Sequence, residues 1–167
     1  EGTQIGPVVS EGQLASNLEY VRVGQEEGAE LLVGGERVER ATEGYYMTPG
    51  VFVGTRNDMA INREEMFAPL AAVIRVDGYE EALAVVNDTR FGLTSGIVTT
   101  SLARASHFRR NARTGCVMVN LATAGTDYHV PFGGRGDSSH GPREQGAYAV
   151  EFYTRVKTAY VASGVPA

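Results

Sequence analysis

The sequence predicts an α/β protein with an open, mostly parallel sheet and flanking helices. Three observations carry that expectation. From residue 71 to residue 119, apolar runs alternate with helical repeats over short connections, the pattern of a parallel sheet wound through helical crossovers. The run at 71–76 is nearly all apolar, as in a strand buried on both faces. A glycine-rich segment follows the carboxyl end of the last strand, where open α/β sheets place ligands.

The elements follow in order. Ser10 with Gln13 three residues later makes a capping-box signal, and Leu14, Leu18 and Val21 recur behind it at helical spacing. Gly24 weakens that helix and Gly28 ends it. A strand is expected at 29–33, closed by Gly34 and Gly35. The β-rich stretch 45–53 contains Pro49, which donates no ladder bond, so it reads as an edge strand or a broken pair. A loop follows at 61–69, then the strand at 71–76. Asp77 with Glu80 caps a helix whose stripe is Tyr79, Leu83 and Val86. A strand at 95–99 leads to a helix capped by Ser101, with Leu102, Ala105, Phe108 and Ala112 inward, and then to a strand at 116–119. After the glycine-rich loop a short helix is expected from Arg143 to about Phe152. The tail, residues 153–161, opens on Tyr153 and closes on Val161; it alternates, with Val156 and Tyr160 on one face and Arg155 and Lys157 on the other. A terminal strand with one apolar face needs a partner.

Composition sets bounds. With 167 residues, 43% of them hydrophobic, one domain's core is available. A net charge of −5 argues against a nucleic-acid surface. Arg104, Arg109, Arg110 and Arg113 are expected late on one helix, where cations complement its dipole. A single Cys fits a reducing compartment, and no apolar run reaches membrane length, so a soluble cytoplasmic protein is expected. The opening residues from Glu1 read like a loop in mid-protein, and the chain is expected to be a piece of a longer one.

Two motifs carry the chemistry. The first is Glu64-Glu65-Met66-Phe67-Ala68-Pro69, and the second is Pro131-Phe132-Gly133-Gly134 running on to Gly136 and Gly141. Glycines are used where backbone needs φ > 0 or must pass close to another group, so the second motif would wind a loop that aims Phe132. An exposed acid pair and an aromatic among glycines are, taken alone, a solvated loop and a core plug. Together the motifs resemble the carboxyl-terminal part of the aldehyde dehydrogenase family. The resemblance runs from Ile5-Gly6-Pro7-Val8 to Val156-Lys157-Thr158 and includes Arg143-Glu144-Gln145-Gly146.

The resemblance implies a partial catalytic domain over residues 1–150 and an oligomerisation strand and tail over 151–167. It implies that Glu65 and Phe67 hold the nicotinamide half of NAD or NADP. A carboxylate can accept from both hydroxyls of a ribose, and an aromatic two residues on lies on the same side of a regular strand. It also places Phe132 on the wall of the aldehyde channel. The family's usual Gly is Ala68 here. The nucleophilic Cys, general-base Glu and oxyanion-hole Asn of the family fall upstream of Thr3-Gln4-Ile5-Gly6-Pro7, so no catalytic residue is assigned in this chain. Cys116 opens an apolar strand, where a free Cys acts as a small hydrophobe. Asn120 and Phe91-Gly92-Leu93 match structural positions of the family. His129 with Asp127 is too sparse for a metal site, and none is expected.

Residues 119–135, with Gly136 where Lys is commoner and the extra Pro142, look like the 2-oxoglutarate semialdehyde (2,5-dioxopentanoate) dehydrogenase group, which leans toward NADP. The expected parent enzyme oxidises that aldehyde to the carboxylate and assembles as a homodimer or tetramer through the tail by strand addition. The chain by itself is expected to be inactive. The alternatives are a non-catalytic oligomerisation module, or a parent acting on fatty or other aldehydes.

Overall fold

The computed structural model describes residues 2–164. The chain divides into two compact units, the first reaching Val85 and the second starting at Val86.

The first unit opens with α1 (Glu11–Glu26). Ser10 Oγ accepts from the Gln13 N–H, as the capping signal requires. Gly24 stays inside the helix because a Cβ there would stand 3.1 Å from the Phe52 ring. Gly28, at φ +92°, follows the last turn. Strand β1 (Glu30–Val33) pairs antiparallel with β4 (Gly50–Val53), and β4 pairs parallel with β5 (Leu70–Ala72). The β-rich stretch breaks at Thr48 and Pro49 into β3 (Tyr46–Met47) and β4, and β3 pairs with β2 (Arg37–Val38). A single helical turn, α2 (Ala60–Arg63), precedes the first motif. Phe52, Val21, Ala29, Met59 and Ile61 form the core under the sheet.

Helix α3 (Tyr79–Asn87) begins two residues after Asp77, whose N–H is capped by the Glu81 carboxylate at 2.7 Å rather than by Glu80. In the second unit β6 (Thr94–Ile97) and β7 (Cys116–Val119) pair in parallel across α4 (Leu102–Asn111). Ser101 caps α4 by accepting from the Arg104 N–H. Phe108 and Ala112 are buried from its stripe, whereas Leu102 is exposed. Arg109 and Arg110 occupy the last turn; Arg104 lies in the first, and Arg113 stands beyond the cap. The helix expected from Arg143 starts later, as a 3-10 turn at Gly146–Tyr148 and α5 (Ala149–Tyr153).

The α/β class holds, with mixed rather than mostly parallel pairing. No helix separates β1 from β4, so those strands can meet antiparallel without a crossover. The strand expected at 71–76 is ordered only over Leu70–Ala72. Its partner β4 stops at Val53, where Gly54 turns to φ +66°, and the last rung is Val73 N–H to Phe52 C=O at 2.9 Å. Val73 is consequently half exposed instead of buried on both faces. Residues 154–164 carry no regular secondary structure and pair with no strand among the described residues; Val156, Tyr160 and Val161 are exposed. The last three residues of the expected 151–167 segment lie outside the described residues.

Candidate functional site

The first motif leaves α2 at Glu64, and its two acids part ways. The Tyr20 hydroxyl on α1 donates to the Glu64 carboxylate at 2.7 Å. That bond raises the Tyr20 pKa above its ordinary value, because losing the phenolic proton would set two anions side by side. Glu65 is exposed, and its carboxylate makes no hydrogen bond or ion pair among the described residues. One residue on, the Met66 carbonyl accepts from Gln13 Nε2 at 3.4 Å, and the same amide donates to Asn17 Oδ1 at 2.8 Å. Asn17 is fully buried, with Nδ2 3.5 Å from Met47 Sδ. Gln13, Asn17 and Tyr20 recur at helical spacing, so one face of α1 carries a polar stripe inward.

Phe67 sits at φ 51° in the left-handed region, uncommon for a residue with a Cβ. The alternation of a regular strand that placed Glu65 and Phe67 on one side therefore does not run through the loop. Ala68, in the family's glycine position, keeps a negative φ, so the backbone there makes no left-handed demand for Gly. Phe67 is 76% exposed and, with Pro69, Gln13, Asn17, Ile5 and Pro7, lines a cavity of about 380 Å³. A larger hollow of about 650 Å³ in the same unit, lined by Arg40, Thr42 and Tyr46 among others, includes neither Glu65 nor Phe67.

The second motif is held by backbone. Gly133, Gly136 and Gly141 have φ of +152°, +55° and +89°, whereas Gly134 is needed for space, since a Cβ there would come 2.7 Å from Ser138 Cβ. Arg143 Nη1 donates to the Gly134 carbonyl at 2.8 Å, and the Phe132 carbonyl accepts from the Glu144 N–H at 3.1 Å. Gly92 sits beneath: its carbonyl accepts from Gly115 and Arg135 N–H groups, both at 2.9 Å, and its N–H donates to Ser138 Oγ. Phe132 is half-buried. A concavity of about 440 Å³ in this unit is lined by Arg90, Phe91, Arg113 and Arg135, but not by Phe132.

Asn120 braces the backbone between β6 and α4 through its side chain: Oδ1 accepts from the Thr99 N–H at 2.8 Å and Nδ2 donates to the Thr99 carbonyl at 3.0 Å. Its own φ of 55° suits Asn better than most residues. Cys116 is half-buried, and its thiol donates to the Gly133 carbonyl at 3.9 Å. Among the described residues no three His, Cys, Asp or Glu side chains gather as metal ligands, and no helix is long and apolar enough to cross a membrane. Sequence reasoning had confined Gln13 to the helix cap and Tyr20 to no role. The signal available was a polar pair spaced seven apart on an otherwise packed helix face.

The comparisons with known proteins agree with these motifs. The aldehyde dehydrogenase family profile matches residues 1–159. The chain is 41% identical over 163 residues to the alpha-ketoglutaric semialdehyde dehydrogenase of Bacillus subtilis, covering 96% of this chain and 33% of that protein. It is 43% identical over 160 residues to the alpha-ketoglutarate semialdehyde dehydrogenase of Haloferax volcanii, covering 94% and 33%. The fold matches the indole-3-acetaldehyde dehydrogenase AldA of P. syringae, solved with NAD+, at a TM-score of 0.88 and 36% identity, over 95% of this chain and 32% of that one. The chain thus spans about a third of the length of these relatives. With both motifs in place, it belongs to the aldehyde dehydrogenase family.

Proposed function

We propose that this chain forms the part of an NAD(P)-dependent aldehyde dehydrogenase that holds the nicotinamide end of the cofactor and lines the aldehyde passage. The observation that carries the reading is the division of the acid pair. Glu64 is engaged by Tyr20, while Glu65 stands free in the same loop, two residues before an exposed Phe67. A free, exposed carboxylate fits the two hydroxyls of a ribose, and a solvent-facing ring beside a cavity fits a flat heterocycle. The residues present therefore fit the cofactor: Glu65 would hold the ribose and Phe67 would pack on it. When bound, the nicotinamide supplies the acceptor for the hydride that leaves the aldehyde carbon. Phe132, on its glycine-braced loop, would line the substrate passage. No residue of this chain is assigned the role of nucleophile or base.

For the substrate we propose 2-oxoglutarate semialdehyde, supported by the relatives from B. subtilis and H. volcanii and by the 2,5-dioxopentanoate dehydrogenase of Saccharolobus solfataricus, 36% identical. A betaine aldehyde dehydrogenase of Agrobacterium fabrum at 40% identity keeps a cationic aldehyde as the second reading. We further propose a cytoplasmic homo-oligomer joined through residues 153–161, whose exposed Val156 and Tyr160 suit strand addition. The test is turnover of the two aldehydes with NAD+ and NADP+ by the longest gene product that carries this sequence. Preferred oxidation of the semialdehyde is expected, with Glu65→Gln slowing hydride transfer. No dehydrogenase activity toward either aldehyde, or an unchanged hydride-transfer rate in Glu65→Gln, would overturn the assignment.

A further inference from the structure

We propose that Tyr20 is a positioning residue for Glu65, an inference that rests on the cofactor role given above. The residues on both sides of Glu65 are tied to α1, one by the Tyr20–Glu64 bond at 2.7 Å and the other by Gln13 to the Met66 carbonyl at 3.4 Å. Glu64 ends α2, with its N–H bonded to the Ala60 carbonyl, so its backbone direction is set before the loop begins. Adjacent carboxylates repel and could exchange places at a ligand. A phenol that engages only Glu64 removes that ambiguity and leaves Glu65 as the carboxylate presented to solvent.

The polar stripe itself supports the assignment. An α1 face meeting the core would gain most from apolar side chains, and a buried polar group is costly unless bonded. Yet Asn17 at the centre of the stripe is fully buried, and it holds the Gln13 amide that reaches the loop. A hydroxyl-to-carboxylate bond is charge-assisted and directional, so the stripe fixes loop direction as well as packing.

The experiment measures NADH affinity by fluorescence titration for wild type, Tyr20→Phe, Glu65→Gln and the double variant of the longest gene product. Cleavage of the loop by a glutamate-specific protease without cofactor is the second readout. Tyr20→Phe is expected to weaken NADH about fivefold, to speed cleavage at Glu64 and Glu65, and to add almost nothing in the Glu65→Gln background. If Tyr20→Phe folds poorly, Glu64→Gln weakens the same bond from the exposed side; NADH affinity is expected to fall likewise, and cleavage, now confined to Glu65, to speed up. Unchanged affinity and cleavage in Tyr20→Phe, with Glu65→Gln still impaired, would overturn the positioning role and leave the cofactor reading standing. Equal losses from Tyr20→Phe with and without Glu65 would overturn it too, because the effect would then not pass through Glu65. No effect of Glu65→Gln would remove both.

Discussion

The two motif loops are built on opposite principles. The loop after α2 is short, holds no glycine, and is fixed by side chains reaching from α1 to Glu64 and Met66. The loop after β7 is glycine-rich and is fixed by close backbone approach around Gly92, Gly115 and Gly133, with one arginine closing it. The first leaves its key aromatic, Phe67, in solvent; the second leaves Phe132 half-buried. A loop fixed at its flanks can present a side chain to a ligand, whereas a loop fixed along its backbone makes a wall.

That contrast predicts different sensitivities. The largest effect falls on the backbone-fixed loop. A Cβ at Gly115 would stand 1.9 Å from the Gly133 carbonyl oxygen, so Gly115→Ala is expected to cost about 3 kcal/mol or more in urea unfolding. A cost below about 0.5 kcal/mol would show that the approach is not tight. Next, Arg143→Met removes the bond to the Gly134 carbonyl and is expected to cost about 1–2 kcal/mol and to speed proteolysis within 131–142. Unchanged stability and proteolysis would mean that the loop holds without its closing arginine.

The side-chain-fixed loop should respond to pH instead. The Tyr20 pKa is raised in the folded chain, chiefly by its bond to Glu64, so the neutral phenol is favoured by folding. The resulting stability is full below the unfolded value of about 10 and is lost as pH rises through the folded value. The unfolding midpoint of wild type should therefore fall above about pH 10 more than that of Tyr20→Phe. Parallel curves would remove the bond from the account. The smallest stability effect belongs to Glu65→Gln, expected within about 0.5 kcal/mol of wild type because Glu65 has no partner among the described residues. A larger loss would mean that Glu65 supports the fold.

Much of this was legible in the sequence, and the limits have physical causes. Ser10 capped α1, Pro49 split a strand, Cys116–Val119 formed β7, and the glycines wound their loop, because each depends on local backbone rules. Gln13 went astray for a reason of the same kind. The capping-box pattern assumes that its amide turns back to the cap, but a tertiary acceptor, the Met66 carbonyl, and the buried Asn17 took it instead. The 71–76 strand was overdrawn because its length depends on how far β4 runs beside it, which an apolar run does not encode. The free state of Glu65 also lay beyond the sequence, since it follows from where Tyr20 points.

The central claim is a division of labour, with the first loop serving the cofactor and the second the aldehyde. NADH titration and aldehyde KM, measured together on Glu65→Gln and Phe132→Ala of the longest gene product, test it most directly. The account predicts NADH affinity about tenfold weaker in Glu65→Gln and unchanged in Phe132→Ala, with aldehyde KM moved by Phe132→Ala. Equal NADH affinity in wild type and Glu65→Gln, or a cofactor defect confined to Phe132→Ala, would contradict it.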